Sequence, residues 1–308
     1  MKLLKCTLII TAAAFATLAT RTSLQAADAE RHEHKELSAN TGGTLTLKAV
    51  VGSIEIKTHD QNLVTFDSVL KPGGSSKSSE LIEQLEFDYQ TANGDVTINV
   101  RWKDDKQPRN ANLNGRHTLV IPAKYNIDVR TSGGSIIGKD INGRVAAHTS
   151  GGEIRFGNVN GEIKAHTSGG DIALDDVHGD ADINTSGGNI TLGKVEGDVI
   201  SKTSGGNIKL GAVTGNLRGS TSGGSITAEL VNQIAKPLEL STSGGNINLA
   251  VPGDFKADLD ASTSGGTVAC NIPFEGKLKP SSIKAKVNGG GPEVTLHTSG
   301  GNIEVAKR

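Results

Sequence analysis

The chain has 308 residues, with 32 Lys+Arg against 33 Asp+Glu, 40 glycines and only nine aromatic residues. The even charge balance gives no reason to expect a nucleic-acid binder, and two cysteines are too few for a disulfide scaffold. Scarce aromatic residues argue against one large core, and 35% hydrophobic content argues against disorder. The composition favours a stack of small repeated units.

The first 27 residues predict an export signal. Two lysines precede the apolar run Cys6–Ala19, and small residues follow it. We expect cleavage after Ala26, with cleavage after Ala27 as the alternative, because small residues precede signal-peptidase sites. The apolar run is shorter than the about 20 residues that a membrane-spanning helix needs. We therefore expect no transmembrane segment in the mature chain.

Cleavage would change both charge and cysteine content. It removes three basic residues and no acidic one, which leaves a net charge of −4. It also leaves Cys270 as the only cysteine, so we expect no intrachain disulfide. The predicted location is the periplasm, the cell surface or the extracellular medium.

The tetrapeptide Thr-Ser-Gly-Gly is the dominant feature of the sequence. It begins at residues 131, 149, 167, 185, 203, 221, 242, 263 and 298. Successive starts lie 18 residues apart five times, 21 residues apart twice and 35 residues apart once. Such constant spacing identifies a structural repeat.

Each repeat predicts two strands. A glycine followed by alternating apolar residues occurs twice per unit, nine residues apart, as at 152–156 and 161–165. Alternation of this kind predicts a strand with one buried face, and the glycines suit the corners between strands. The sixth position of the unit is aliphatic in all nine repeats and is expected in the core. Its residues are Ile136, Ile154, Ile172, Ile190, Ile208, Ile226, Ile247, Val268 and Ile303.

Two architectures fit this pattern, an antiparallel meander and a parallel β-solenoid. A meander would need a separate cover for its apolar face, and residues 131–308 contain no amphipathic helix that would supply one. In a solenoid the two strands of each coil cover one another. We therefore predict an all-β fold, a parallel β-solenoid of 18–21-residue rungs, with a final strand after residue 298 closing the C-terminal cap.

Residues 28–130 lack the motif and are predicted to form an N-terminal β-rich cap region. A looser version of the repeat occupies 41–56. Further strands are expected at 63–70, 96–102 and 117–121, with a short helix or irregular segment at 79–87. The predicted organisation is a signal peptide (1–27), the cap region (28–130) and the solenoid (131–308), because stacked repeats need a cap over their terminal apolar surface.

The order of these segments resembles a known family. Gly-x-Ile-x-Ile strands are followed by Leu-Val-Ile-Pro at 119–122, the entry Val129–Gly134, serial Thr-Ser-Gly-Gly units and a terminal Gly-Gly-Asn-Ile-Glu-Val. Over residues 40–305 the chain resembles the bacterial putative-adhesin family of exported β-strand-repeat proteins, a domain of unknown function. The resemblance implies an all-β repeat fold and surface adhesion, and it implies no catalytic residues.

Histidine and cysteine give weak signals for a site. His148 and His166 share one position of the repeat and are expected to stack one rung apart, but two imidazoles without carboxylate support are a poor metal site. Cys270 has no neighbouring histidine in the sequence to activate it as a nucleophile. We expect no catalytic residues, no cofactor and no metal ligands.

A column of carboxylates leaves one question open. Position 14 of the repeat carries Glu162, Asp180 and Asp198. Stacked at rung spacing they would repel one another unless solvent or a cation screened them, and a full calcium shell needs 6–8 oxygens. The interpretations are a solvated acidic stripe or a calcium site, and we favour the stripe.

Position 5 suggests a short asparagine ladder. Asn189 and Asn207 are expected to stack there, with Asp171 and Ser225 ending the ladder on either side. The predicted role is stabilisation.

The function predicted from sequence is non-enzymatic. A stiff rod with a polar surface would offer many weak contacts to an unknown surface ligand or envelope component, and avidity would multiply them. The alternative is a self-stacking structural or signalling-accessory module of the cell envelope. Neither reading involves nucleic acid.

Overall fold

The computed structural model describes residues 30–73, 80–104, 108 and 113–308, so the predicted signal peptide lies outside the described residues. Nearly all described structure is β: two long sheets of 13 and 14 strands, here called sheet 1 and sheet 2, face each other across the core. The all-β solenoid prediction is confirmed.

The strands of the N-terminal region are β1 (Arg31–Ser38), β2 (Thr44–Ala49), β3 (Ser53–His59), β4 (Leu63–Pro72), β5 (Leu85–Ala92), β6 (Asp95–Trp102) and β7 (Leu113–Pro122). The repeat strands of sheet 1 are β9 (Ile136–Gly138), β12 (Ile154–Phe156), β15 (Ile172–Leu174), β17 (Ile190–Leu192), β19 (Ile208–Val213), β21 (Ile226–Leu230), β23 (Ile247–Val251), β25 (Val268–Cys270) and β29 (Ile303–Lys307). Those of sheet 2 are β8 (Asn126–Thr131), β11 (Val145–Thr149), β14 (Ile163–His166), β16 (Ala181–Asn184), β18 (Val199–Lys202), β20 (Leu217–Ser220), β22 (Leu238–Thr242), β24 (Ala257–Thr263) and β28 (Glu293–Thr298). The remaining strands are β10 (Ile141–Asn142), β13 (Val159–Asn160), β26 (Phe274–Lys279) and β27 (Ser282–Val287).

A rung consists of one strand of sheet 2, a corner and the following strand of sheet 1. Along the chain, Ile154 and Phe156 point into the core from sheet 1, and Ile163 and Ala165 point into it from sheet 2. Parallel pairing places Ile154 beside Ile172 of the next rung, 18 residues later. The fixed repeat length keeps every apolar column in register, since a one-residue slip would turn these side chains outward.

A third, shorter ladder runs between the two sheets. The strands β10 and β13 pair in parallel, and single bridges extend the ladder through Val177, Val195 and Val213. These aliphatic residues occupy position 11 of the repeat and are fully buried. The coil therefore has three sides, where the sequence predicted two strands and two corners.

In the N-terminal region, β4, β6 and β7 occupy the places predicted for strands. The prediction of a short helix or irregular segment at 79–87 is correct for part of the segment: residues 80–82 are helical, but Leu85 begins β5, which pairs antiparallel with β6. Leu85 is 1% exposed, so burial against the edge of sheet 2 favours a strand there.

Stacking order differs from chain order at both ends of the solenoid. Near the N-terminus, the rung β2–β3 lies between β6–β7 and β8–β9, although β6–β7 comes later in the chain. Near the C-terminus, the last rung β28–β29 lies between β22–β23 and β24–β25. The strand after residue 298 is therefore inside the stack, and the rung of residue 263 is the outermost.

Eleven rungs stack in parallel once the antiparallel strands β1 and β4 of sheet 1 and β5, β26 and β27 of sheet 2 are set aside. At about 4.8 Å per rung the parallel stack is about 50 Å long. One continuous apolar cluster runs from Leu37 to Val305. The repeats thus share their core with most strands before residue 131, and a second, smaller cluster within the N-terminal region contains Leu70, Ile82, Leu85, Trp102 and Leu113.

Candidate functional surface

The threonine of the repeated motif is a buried structural residue. Thr167 Oγ1 donates a hydrogen bond to the Gly152 carbonyl of the preceding rung (2.9 Å) and accepts one from the Gly170 N–H (3.4 Å). The nine motif threonines are 0–7% exposed and each donates to a glycine carbonyl of the adjacent rung. This contact, here called the threonine latch, explains why the motif needs a hydroxyl at its first position. The recurrence of threonine in the sequence was the available signal.

The two glycines of the motif differ in their surroundings. A Cβ on the second glycine would lie 2.0–2.2 Å from the backbone of the adjacent rung in every repeat, as Gly152 would from Gly134. A Cβ on the first glycine would meet nothing within 4 Å at Gly133, and only ordinary contacts at Gly151 (3.6 Å) and Gly169 (3.5 Å). Packing therefore requires the second glycine in every repeat, whereas it leaves room at the first glycine in the three repeats that begin at residues 131, 149 and 167 and less room in the later ones, down to 3.0 Å at Gly244.

The motif serines form an exposed row along the corner, here called the serine ridge. In stacking order its members are Ser132, Ser150, Ser168, Ser186, Ser204, Ser222, Ser243, Ser299 and Ser264. Beneath the hydroxyls the backbone forms its own ladder, in which Gly187 N–H donates to the Ser168 carbonyl (3.0 Å) and Gly205 N–H to that of Ser186 (3.0 Å). A serine hydroxyl can both donate and accept a hydrogen bond, so each rung of the ridge offers a donor and an acceptor. The motif glycines that follow each serine carry no side chain.

The histidines singled out in the sequence lie on the outer face of sheet 2. His148 and His166 pair in register, and their ring centroids are 6.1 Å apart. Partial burial, and then the charge of Arg130, holds the pKa of His148 below its usual range. Within the described parts of the chain, no three His, Cys, Asp or Glu side chains are grouped to hold a metal ion.

The carboxylates of position 14 are engaged by neighbouring protein groups. Asp180 Oδ1 accepts the backbone N–H of Asp198 (2.8 Å), and Asp198 Oδ1 accepts that of Asn216 (3.0 Å). Asp198 also pairs with Lys236 at 3.1 Å, and Glu162 pairs with Lys164 at 3.0 Å. The N–H of Asn216, with Lys236, holds the pKa of Asp198 below its usual range. Backbone donors and lysines thus balance this acidic stripe.

The ladder at position 5 is longer than predicted. Asp171 Oδ1 accepts the Asn189 N–H (2.7 Å), and the chain of bonds continues through Asn207 and Ser225 to Asn246. It then passes through Asn302 to the Thr267 N–H. Asp171 is the first acceptor of this chain of bonds, but the prediction that Ser225 ends it was wrong, because the Ser225 hydroxyl oxygen accepts the same backbone N–H that an asparagine oxygen accepts.

Two further features complete the described surface. Cys270 is half-buried beside Val305, and burial raises the pKa of its thiol. An open groove of about 730 Å³ crosses β24 and β26–β28, and Lys284 and Asp260 pair in it at 3.0 Å. Its walls mix acidic and basic groups and so favour no one ligand charge. No helix in the described ranges has the length and apolarity to cross a membrane.

Comparison with known proteins finds several similar solved structures and one matching family model. Similar solved structures include a putative adhesin from Bacteroides fragilis, at 12% identity over 90% of this chain and 97% of that chain, with a TM-score of 0.43. A putative cell adhesion protein from Clostridium sporogenes shows 14% identity over 91% and 100%, with a TM-score of 0.30. A putative lipid binding protein from Parabacteroides distasonis shows 13% over 88% and 96%, with a TM-score of 0.35. A comparison with curated proteins finds no match.

The family model described as Toastrack DUF4097 matches residues 111–306. This range includes every Thr-Ser-Gly-Gly motif, with its latch, paired glycines and exposed serine. The resemblance inferred from the sequence is thereby confirmed. The protein belongs to the Toastrack DUF4097 family.

Proposed function

We propose that this protein is a non-enzymatic, exported adhesin whose serine ridge binds a surface ligand through many equivalent contacts. The observation that carries the proposal is the repetition of one exposed Ser-Gly pair at nine consecutive rungs. Packing fixes the threonine and the second glycine of the motif, but it does not fix the serine or, at Gly133 to Gly169, the first glycine. Binding to a repetitive surface supplies a reason for keeping these two positions constant.

Multivalency converts weak contacts into retention. A second contact made by a tethered site behaves as if its ligand were present at about millimolar concentration. A rigid rod holds its sites at fixed spacing, so a ligand that matches the rung spacing engages several at little further entropic cost. Ligands with closely repeated polar groups, such as polysaccharides, fit this chemistry best.

The outer faces of the rod support the same proposal. Large hydrophobic side chains exposed in the described residues are Ile137, Ile200 and Leu278, and they lie on different strands. Scattered apolar residues of this kind do not form an apolar interface. Polar contacts are therefore the proposed basis of adhesion. The predicted export signal would bring the chain to a location outside the cytoplasm where such contacts can form.

The test measures retention of beads coated with the full chain on cellulose, chitin and peptidoglycan sacculi under flow. We expect retention on at least one of these surfaces, and we expect Ser168→Glu, Ser186→Glu and Ser204→Glu together to lower it at least about tenfold, since several contacts are lost at once. The matched control places the same three charges on the outer face of sheet 1, as Thr191→Glu, Thr227→Glu and Asn248→Glu.

Equal loss in both triple variants would show that charge, not the ridge, governs retention. Unchanged retention in the ridge variant would refute the ridge as the binding surface.

Self-association is the second candidate function, and the interposed position of the C-terminal rung is the observation that favours it.

A further inference from the structure

The C-terminal rung occupies a slot between two other rungs. In sheet 2, β28 pairs on one side with β22 and on the other with β24, so that Leu296 lies between Leu240 and Ala261. In sheet 1, β29 pairs with β23 and β25, so that Val305 lies between Leu249 and Cys270. The segment that fills this slot is synthesised after both of its walls.

The inserted rung bonds to its neighbours as any other repeat does. Thr298 Oγ1 donates to the Gly245 carbonyl (2.8 Å), and Thr263 of the outer wall donates to the Gly301 carbonyl (2.7 Å). At the chain end, Arg308 pairs with Glu229 at 2.9 Å. The slot thus recognises residues 293–308 by the threonine latch, by backbone pairing and by apolar columns, all of which depend on the segment and not on how it is tethered.

A glycine-rich connection leads into the inserted rung. Residues 288–292 are Asn-Gly-Gly-Gly-Pro, and Asn288, Gly289 and Gly290 have φ values of +48°, +90° and +90°. The connection carries the chain from β27 over β24 to β28, about two strand spacings or roughly 10 Å. A Cβ on Gly289 would meet nothing within 4 Å, but Asn288 donates to the Gly253 and Phe255 carbonyls (3.2 and 2.9 Å) and Gly291 N–H donates to Asp258 Oδ1 (3.4 Å). Opening the connection breaks these few surface hydrogen bonds and leaves the pairing of the rungs in place.

We propose that residues 293–308 exchange between copies of this chain, so that β28–β29 of one copy fill the slot of another and form a rung-swapped dimer. Every contact inside the slot is the same within one chain and between two chains, and only residues 288–292 change conformation. Exchange of an identical element is a low-cost route to a dimer. The equilibrium between the monomer and the rung-swapped dimer is then set by protein concentration and by the strain in residues 288–292. This proposal does not depend on the adhesive function.

The native Cys270 provides the test because it lies on β25, a wall of the slot, in register with Val305 of the inserted strand β29. One full chain carries Cys6→Ser, Cys270→Ser and Val305→Cys, and a second full chain with a different tag carries only Cys6→Ser. The two chains are unfolded together, refolded at total concentrations from about 1 µM to about 100 µM and treated with dibromobimane, a short thiol cross-linker. A product with both tags is expected when β29 of the first chain lies beside β25 of the second, and any product formed when the two separately folded chains are mixed without unfolding measures chance collision and is subtracted.

We expect the two-tag product to rise at least about tenfold over this concentration range. Deleting Gly289 and Gly290 strains the crossing over β24 within one chain and should raise the product further, whereas Gly289→Asn, which keeps the length and tolerates a positive φ better than other side chains do, should raise it much less. Absence of the two-tag product at every concentration with the native connection would overturn the proposal, whether or not the deletion variant folds. A chain that carries both Cys270 and Val305→Cys serves as the reporter control, and failure to cross-link internally at low concentration would contradict the interposed rung itself.

Discussion

Each position of the Thr-Ser-Gly-Gly motif has a distinct physical environment. The threonine hydroxyl joins two rungs inside the corner, and the serine hydroxyl faces solvent. The second glycine lets two backbones approach to a distance that no side chain permits, while the first glycine is exposed. The motif residues that hold the rungs together are therefore distinct from those that the proposed function assigns to ligand binding, and substitutions can separate the two roles.

The paired glycines give the sharpest contrast. At Gly152 a methyl group would lie 2.2 Å from the Gly134 carbonyl oxygen, and the rungs must separate to admit it, so Gly152→Ala should cost at least about 1–3 kcal/mol. Gly151→Ala, one residue away, should change the free energy of unfolding by less than about 0.5 kcal/mol. Urea denaturation followed by circular dichroism measures both. Equal destabilisation by the two substitutions would contradict the packing described at this corner.

His117 gives the fold a pH dependence. It is fully buried, with Nε2 donating to the Val51 carbonyl (2.7 Å), Nδ1 accepting from Ser68 Oγ (3.0 Å), and its ring stacked on Phe66. Burial holds the pKa of His117 below its usual range in the folded protein. The unfolded chain, with the ordinary pKa of about 6.5, binds the proton first as pH falls.

Stability from His117 is therefore complete above about pH 6.5 and is lost as pH falls from there toward the folded-state pKa, by at most about 1.4 kcal/mol per pH unit. His117→Gln retains an N–H donor toward Val51 but does not titrate. We expect the native chain to lose more unfolding free energy than His117→Gln between about pH 7 and about pH 5. Parallel pH profiles of the two proteins would argue against this origin.

At the scale of the strand, side-chain oxygens at position 5 extend the backbone pairing beyond the strand ends. Asn207 Oδ1 accepts the Ser225 N–H (2.8 Å), a donor that lies just before β21 begins. Asn207→Ala removes this acceptor, which costs about 1 kcal/mol locally and should speed hydrogen exchange at the Ser225 amide about fivefold. Asn248→Ala, an exposed change on the same sheet, is the control and should leave that amide unchanged. A uniform change across the rod in Asn207→Ala would indicate global destabilisation instead.

The elements inside a repeat were largely predictable, because period-2 alternation and an 18-residue interval together determine strand, face and register. The predicted length of the position-5 ladder was too short because the prediction required asparagine at each rung. Any side-chain oxygen can accept the backbone N–H, and Asp171, Asn189 and Ser225 all do so. The third side of the coil was missed for another reason. Its residues at position 11 of the repeat are regularly aliphatic, but one or two residues per coil give no alternation that would identify a strand.

At the scale of the whole molecule, rung order could not be predicted from the repeats. Each repeat encodes compatibility with any neighbour that carries the same motif, so the sequence specifies how rungs pair but not which rung follows which. The serine ridge was equally hidden, because sequence alone did not show which hydroxyl of the Thr-Ser pair is buried. Each of the interposed rungs, β2–β3 and β28–β29, pairs with an outer rung on one side and with the rest of the stack on the other.

Two deletions of similar length separate these levels of organisation. Removing residues 186–203 joins Thr185 to Ser204 and deletes one whole internal repeat. The new neighbours, β16 beside β20 and β15 beside β19, keep their register, so we expect a folded rod shorter by about 4.8 Å. Removing residues 292–308 instead empties the slot and exposes both of its walls, although it also deletes just one rung.

We therefore expect the internal deletion to unfold in one transition near that of the full chain. The C-terminal truncation should unfold in two, with residues 257–287 released first, because they then have no rung to pair with on the inner side. Denaturant titration and small-angle scattering of both proteins measure this difference. The truncated chain could instead prove as stable and as cooperative as the internal deletion. In that case the outer rung would have paired directly with β22–β23, and the inserted rung would not be needed to hold the outer rung in place.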